Sequence, residues 1–267
     1  MSHNTRGAYL IPYYLWMVLF VALPVALVAY YSLFDIDGHF TFSNYVNFFT
    51  PVYLKMTLSS FWSALLITFF SLLVAYPAAY ALVHAKHKQL WLLLLILPTW
   101  INLLLKAYAF IGIFGTSGPV NALFEVVGLG EHQILFTNFS FIFVAVYIYI
   151  PFMVMPIYNA MEEIHPSLIA ASRDLGASNW VTLRRVIFPL TLPGVRSGCM
   201  AVFIPALSLF MLTRLIAGNK VITLGTAIEQ HFLVTQDWGM GSTVAVFLIL
   251  IMAVLVPILG GGKEVRK

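Results

Sequence analysis

Charge is what this sequence has least of: 9% of its residues are Asp, Glu, Lys or Arg, where a soluble domain averages about 25%. The deficit is sharpest for carboxylates. None lies between Asp37 and Glu125, between His132 and Met161, or between Leu175 and Ile228. Long apolar stretches therefore carry no acid, which weighs against a proton- or sodium-coupled carrier that stations ionisable groups in the membrane as relays. The single cysteine, Cys199, excludes an internal disulfide and is expected as a small buried apolar residue. There is no G-x-x-x-x-G-K-[ST] loop to cradle phosphates, Gly260 to Glu264 being only a superficial likeness, and no H-E-x-x-H or G-x-S-x-G pattern. His84 and His87, the one close histidine pair, sit with Lys86 and Lys88 in what reads as a solvated basic hinge. No catalytic residue, metal site or cofactor is expected on this chain. If ATP powers it, ATP and its Mg are bound and hydrolysed on another polypeptide.

What the sequence has instead is apolar length, 61% of 267 residues. Six runs, at about 8–34, 57–83, 90–114, 139–160, 197–217 and 242–259, predict an all-α integral membrane protein with one permease-like domain over 1–267, since a crossing takes about 20 residues. The first run exceeds the apolar core of a signal peptide, about 7–15 residues, and reads as a retained span. The third is interrupted near Pro98–Asn102. Pro98, Pro151, Pro156 and Pro205 are expected kink points, because proline removes a helix hydrogen bond. Six spans put both termini on one side. That side carries Arg6, Lys86, Lys88, Arg173, Arg184, Arg185, Arg196, Lys263, Arg266 and Lys267, against Lys55 and Lys220 opposite. The excess of Lys and Arg predicts that the termini are cytoplasmic. It also accounts for the net charge of +4 without nucleic acid. Lipid is the expected surrounding.

The longest polar interruption, Ser167 to Gly194, lies between the fourth and fifth spans, in a loop over 161–196. His165-Pro166-Ser167 signals a helix start, since proline suits the first turn. Leu168, Ala171 and Leu175 recur on one face. Gly176 is placed to take a left-handed cap. A second helical run, Ala177 to Phe188, is expected to stop at Pro189 and Pro193.

This stretch resembles the "EAA" loop of binding-protein-dependent ABC importer permeases, EAA-x3-G-x9-I-x-L-P. It reads Ala170-Ala171-Ser172, then Gly176, then Val186-Ile187-Phe188-Pro189, with Ala170 standing where the family has Glu. The resemblance implies a type I importer fold with a cytoplasmic coupling helix that docks on an ATPase subunit, assigning that contact to Ala170, Ala171, Ser172, Arg173, Asp174, Gly176 and Ala177. It also implies an ATPase dimer, a second permease and an extracytoplasmic substrate-binding protein as partners. The localisation implied is the bacterial cytoplasmic membrane.

Two further segments, Trp100 to Phe110 and Ile222 to Gly239, are similar to segments of spermidine/putrescine permeases. That resemblance implies a polyamine substrate. Polycations are held by carboxylates and aromatic faces, a desolvated cation over a ring gaining about 2 kcal/mol or more. The side opposite the termini carries Asp35, Asp37, Glu125, Glu131, Glu229 and Asp237, a field that draws cations. Glu229 and Asp237 are accordingly candidates for the outer mouth, and Trp100, Tyr108 and Trp238 for the path. The alternatives are that the acids are solvated loop residues meeting the binding protein, and that the aromatics anchor the chain at the membrane interface. Another small solute, such as iron or thiosulfate, would be served by the same loop, and a stand-alone secondary carrier is the rival from a different class.

Overall fold

Apolar runs in a lipid environment become helices because every backbone polar group must be satisfied within its own segment. The computed structural model describes residues 3–260, with side chains from residue 10 onward. Lys263, Arg266, Lys267 and the side chain of Arg6, all counted above for topology, lie outside the described residues. In chain order the helices are α1 (His3–Met17), α2 (Leu23–Tyr31), α3 (Ser43–Phe48), α4 (Pro51–Val83), α5 (Lys88–Ile96), α6 (Leu103–Phe114), α7 (Pro119–Val126), α8 (Asn138–Glu162), α9 (Pro166–Asp174), α10 (Asn179–Thr182), α11 (Phe188–Leu207), α12 (Met211–Leu215), α13 (Leu224–Leu233) and α14 (Trp238–Gly260). Among the described residues, six helical stretches are long and apolar enough to cross a membrane: Leu10–Tyr31, Pro51–Val83, Leu103–Val126, Asn138–Glu162, Asn179–Leu207 and Trp238–Gly260, the third of them interrupted by a turn between α6 and α7.

The third and the fifth differ most from the expected bounds. The interruption after Pro98 is complete: a 3-10 turn, Leu97–Trp100, gives way to extended Ile101, and Asn102 caps α6 by accepting from the Leu104 N–H at 2.8 Å. Lys88–Trp100 is left as a shorter apolar helix, and the crossing-length stretch becomes Leu103–Val126, which takes in residues expected in a loop. The fifth stretch begins at Asn179 and ends at Leu207, well before the expected 197–217. Pro189 and Pro193 do not stop it. A π-turn, Leu183–Ile187, precedes Pro189, and the Phe188 N–H bonds the Leu183 carbonyl five residues back. The wider turn absorbs the missing proline N–H. The first span uses the same device, a π-turn at Val18–Ala22 ahead of Pro24.

The chain divides into two compact units, Met1–Met56 with Ala227–Ile251, and Thr57–Thr226 with Met252–Lys267. In the second, α8 starts at a reciprocal cap: Thr137 Oγ1 accepts from the Ser140 N–H, and Ser140 Oγ from the Thr137 N–H. It packs along α11, where Gly194 and Gly198 let the backbones close up. A Cβ at Gly194 would stand 2.5 Å from the Ala160 Cβ and the Pro156 carbonyl, and one at Gly198 2.8 Å from the Met153 sulfur. Small residues four apart are how membrane helices pack without a hydrophobic driving force. Gly194→Val is therefore expected to cost about 1–3 kcal/mol by overpacking, read as a lower thermal midpoint of the detergent-purified protein.

The same unit buries a hydroxyl network beyond α11. Thr223 Oγ1 donates to the Leu209 carbonyl at 2.8 Å, Thr213 and Thr226 hydroxyls meet at 2.9 Å, and Ser60 Oγ accepts from the Leu224 N–H at 2.7 Å. The first satisfies the Leu209 carbonyl, exposed where the chain breaks between α11 and α12, and the last an N–H at the start of α13. In the first unit, the end of α2 is clasped by its neighbours. Asn44 Nδ2 donates to the Phe34 carbonyl at 2.7 Å, Thr243 Oγ1 to the Ser32 carbonyl at 3.2 Å, and Gly239 lies against the Phe34 carbonyl. Beyond it, Phe34 and Phe40 form a β-bridge around a turn at Gly38, with Asp35 Oδ1 accepting from the Asp37 and His39 N–H groups.

Candidate coupling loop and substrate pathway

The loop between α8 and α11 is capped at every end. His165 Nδ1 accepts from the Ser167 N–H at 3.3 Å, and Pro166 opens α9. At the far end Gly176 adopts φ +79°, its N–H bonding the Arg173 carbonyl at 2.8 Å while the Ala177 N–H reaches the Ser172 carbonyl at 3.1 Å. That is a Schellman cap, the left-handed glycine satisfying carbonyls the helix leaves free. Ser178 Oγ accepts from the Val181 N–H to start α10, and Ser172 Oγ meets Thr182 Oγ1 at 2.9 Å, tying α9 to α10. Arg173 Nη2 donates to Asn179 Oδ1 at 3.5 Å. The loop is thus a preformed elbow.

Of the residues assigned to the ATPase contact, Ala170, Ala171, Arg173, Asp174 and Gly176 are exposed, and Ser172 and Ala177 are half-buried. The stripe Leu168, Ala171, Leu175 also faces outward, with Leu175 89% exposed and Trp180 nearby in sequence at 68%. Ile169, by contrast, lines an open cleft of about 210 Å³ with Tyr80, Val83, Lys88, Glu162 and Ile187. The amphipathic face read from the sequence is real, but it is presented rather than packed. Leu175 and Trp180 are exposed beside the residues so assigned. At the base of the elbow, Lys88 Nζ reaches the two Glu162 carboxylate oxygens at 2.8 and 3.2 Å. Lys88 is therefore not simply a solvated hinge residue. Nothing in the spacing could reveal its partner 74 residues away.

The pathway candidates fall in both units. Trp100, 76% exposed, ends the 3-10 turn before α6, and Tyr108 is exposed on α6, both in the second unit. Glu229 is half-buried on α13, in the first unit. Asp237 is the N-cap of α14: its Oδ1 accepts from the Met240 N–H at 2.9 Å. Trp238 follows, its ring 5.8 Å from Tyr31 and edge-on to Phe232 at 5.4 Å. Asp237 and Trp238 thus sit within an aromatic cluster on the first unit.

Two further residues of that unit went unseen in the sequence. Tyr53 and His231 lie 178 positions apart, with the Tyr53 hydroxyl 2.7 Å from His231 Nε2 and the rings stacked at 6.0 Å. Burial pushes the His231 imidazole below its usual value, partly offset by the Asp237 carboxylate.

No protein-family model matches the chain. Curated relatives do. The chain is 35% identical over 251 residues to the spermidine/putrescine transport system permease protein PotB of Haemophilus influenzae, covering 90% of this chain and 88% of that one. It is 36% identical over 250 residues to PotB of Escherichia coli, covering 90% and 91%. The inner membrane ABC transporter permease YdcU of Escherichia coli matches at 27% over 216 residues, 73% and 69% of the two chains. Among solved structures, a bacterial ABC transporter involved in the import of the acidic polysaccharide alginate superposes with a TM-score of 0.75, covering 98% of this chain and 96% of the other. An alginate ABC transporter bound to its pentasaccharide-loaded periplasmic protein gives 0.79, covering 97% and 94%. Both share 17% identity, which speaks to the fold alone. Agreement with two PotB proteins along nearly the whole of each chain settles the matter of kinship: this is a multi-pass membrane transport subunit, and it belongs to the PotB family of ABC importer permeases.

Proposed function

We propose that the chain forms one half of a polyamine path in an ATP-driven importer and takes up spermidine and putrescine. The supporting observation is the consecutive pair Asp237 and Trp238, a carboxylate that caps α14 and an indole packed against Tyr31 and Phe232, in a chain whose relatives are named for those substrates. The partners proposed are a PotA-like ATPase dimer, a second PotC-like permease and a PotD-like binding protein. Among the described residues, none of Leu10–Tyr31 is itself buried, which leaves this stretch available to lipid and to the second permease. Both termini and the α9 elbow are assigned to the cytoplasm by the Lys and Arg excess.

In this scheme the permease makes and breaks no covalent bond. Nucleotide closes the ATPase pair, the elbow from His165 to Ser178 moves with it as a capped body, and the spans switch from inward- to outward-facing. The presented stripe Leu168, Ala171, Leu175 supplies the apolar contact, so Ala170 in place of the family's Glu need not weaken docking. The substrate assignment is tested by competition. In membranes holding the assembled complex, ATP-dependent uptake of labelled spermidine is expected to be suppressed by excess putrescine and unaffected by sulfate, thiosulfate, ferric citrate or an alginate oligosaccharide. Suppression by one of the latter, with none by putrescine, would reassign the substrate.

A further inference from the structure

Tyr53 and His231 belong to no role assigned so far, yet they are among the most specifically arranged side chains of the first unit. His231 stands on α13, with Thr235 one turn on. Its Nδ1 lies 3.3 Å from Thr235 Oγ1, and that hydroxyl donates to the His231 carbonyl. With its proton so committed, Thr235 can only accept from Nδ1–H. Nε2 is then the acceptor and the Tyr53 hydroxyl the donor, which satisfies the network with one neutral tautomer. The stack continues on the far side. Phe48 lies 6.1 Å from the Tyr53 ring, and Phe247 3.8 Å from Phe48. Gly241 of α14 leaves room for the His231 Cβ, where a Cβ of its own would stand at 3.1 Å.

The charges around this pair are few. At the start of α14, Asp237 lies one helical turn before Gly241, the residue against which the His231 Cβ packs, and its carboxylate favours the protonated imidazole. From α4, Lys55 is two residues beyond Tyr53 and exposed. On α13 itself, Glu229 is two residues before His231, a spacing that puts it on the other side of the helix. From α3, Phe48 stacks on Tyr53 and Tyr45 lies 5.9 Å from Phe247.

We infer that His231, held by Tyr53, is a pH-sensing residue that sets the charge beside Asp237: neutral, it leaves the carboxylate to draw a polyamine, and protonated, it cancels that charge. This rests on the proposed polyamine path. Burial and the Tyr53 hydrogen bond both favour the neutral ring, so the attractive state prevails at neutral pH. A protonated ring would offer Nε2–H to a hydroxyl already pointing at it, breaking the network as well as neutralising Asp237.

The test is ATP-driven spermidine uptake by the reconstituted complex as the outer pH falls from about 8 to about 5, the range in which imidazoles titrate. Each variant is normalised to its own rate at the alkaline end, and spermidine binding to the isolated binding protein is followed in parallel. The wild type is expected to lose uptake several-fold on the acid side, beyond any loss in the binding protein. His231→Gln, which cannot take up a proton, should flatten that limb. Tyr53→Phe, which removes the donor to Nε2, should raise the imidazole's affinity for protons and move the limb to higher pH. A limb unchanged in His231→Gln, or lowered uptake equal at every pH in both variants, would overturn the inference while leaving polyamine transport standing. Absence of spermidine uptake at every pH in the wild-type complex would overturn the path reading and this inference with it.

Discussion

Gly176→Val is expected to leave the complex assembled but poorly coupled, with ATP hydrolysis continuing and spermidine uptake falling on the order of tenfold. The reason is confined to the backbone. Gly176 sits at φ +79° with nothing within 4 Å of where a Cβ would be, so no clash is introduced. The cost is the left-handed conformation, about 1–2 kcal/mol for an L-residue and more for a β-branched one. A shift of about 1.4 kcal/mol is tenfold in an equilibrium. Relaxing that strain means giving up the Gly176-to-Arg173 and Ala177-to-Ser172 bonds, which frays α9 and loosens it from α10. Gly176→Asn is the control, since asparagine tolerates this region. Uptake per ATP hydrolysed separates the two. A valine variant with wild-type coupling would show that the cap is not what carries motion into the spans.

The second large effect concerns the two carboxylates of the proposed outer mouth. Glu229→Gln with Asp237→Asn is expected to lower spermidine uptake about a hundredfold, and each single change about tenfold, since a charged hydrogen bond contributes about 1.5–3 kcal/mol and about 1.4 kcal/mol is tenfold. Asp237→Asn is an informative single variant because asparagine caps a helix about as well as aspartate. The Met240 N–H keeps a partner, so loss of uptake reports lost charge rather than a frayed α14. Asp237→Ala removes both and should in addition cost about 1 kcal/mol of stability. Initial rates over a spermidine series give the result: a raised half-saturation concentration in the asparagine variant supports the assignment, and unchanged affinity and rate in the double variant remove both acids from the path.

How much of this could be read in advance follows the length scale of the interactions. The spans were legible because a bilayer imposes runs without carboxylates, and the Gly176 cap because a single residue type answers a local backbone need. The fifth span was misjudged at its start for an equally physical reason. Proline usually ends a helix, but the π-turn at Leu183–Ile187 widens the backbone to admit Pro189. The i, i+3, i+7 spacing of Leu168, Ala171 and Leu175 told which residues share a face, not whether that face turns inward. The Lys88–Glu162 and Tyr53–His231 pairs are products of tertiary packing, and no local pattern encodes them. Likewise Ile222 to Gly239 reads as one family segment, yet it serves two ends. Thr223 bonds the Leu209 carbonyl in the break between α11 and α12, and Leu224 starts α13 on Ser60, while Asp237 and Trp238 open the next helix.

The central claim is that this chain supplies a path and an elbow, and that the work comes from elsewhere. Purified to homogeneity and reconstituted alone, it is predicted to move no labelled spermidine under an imposed proton or sodium gradient. Adding the second permease, the ATPase and the loaded binding protein should switch on uptake that stops when ATP is withheld. Gradient-driven spermidine accumulation by the isolated chain, with no nucleotidase present, would contradict the account.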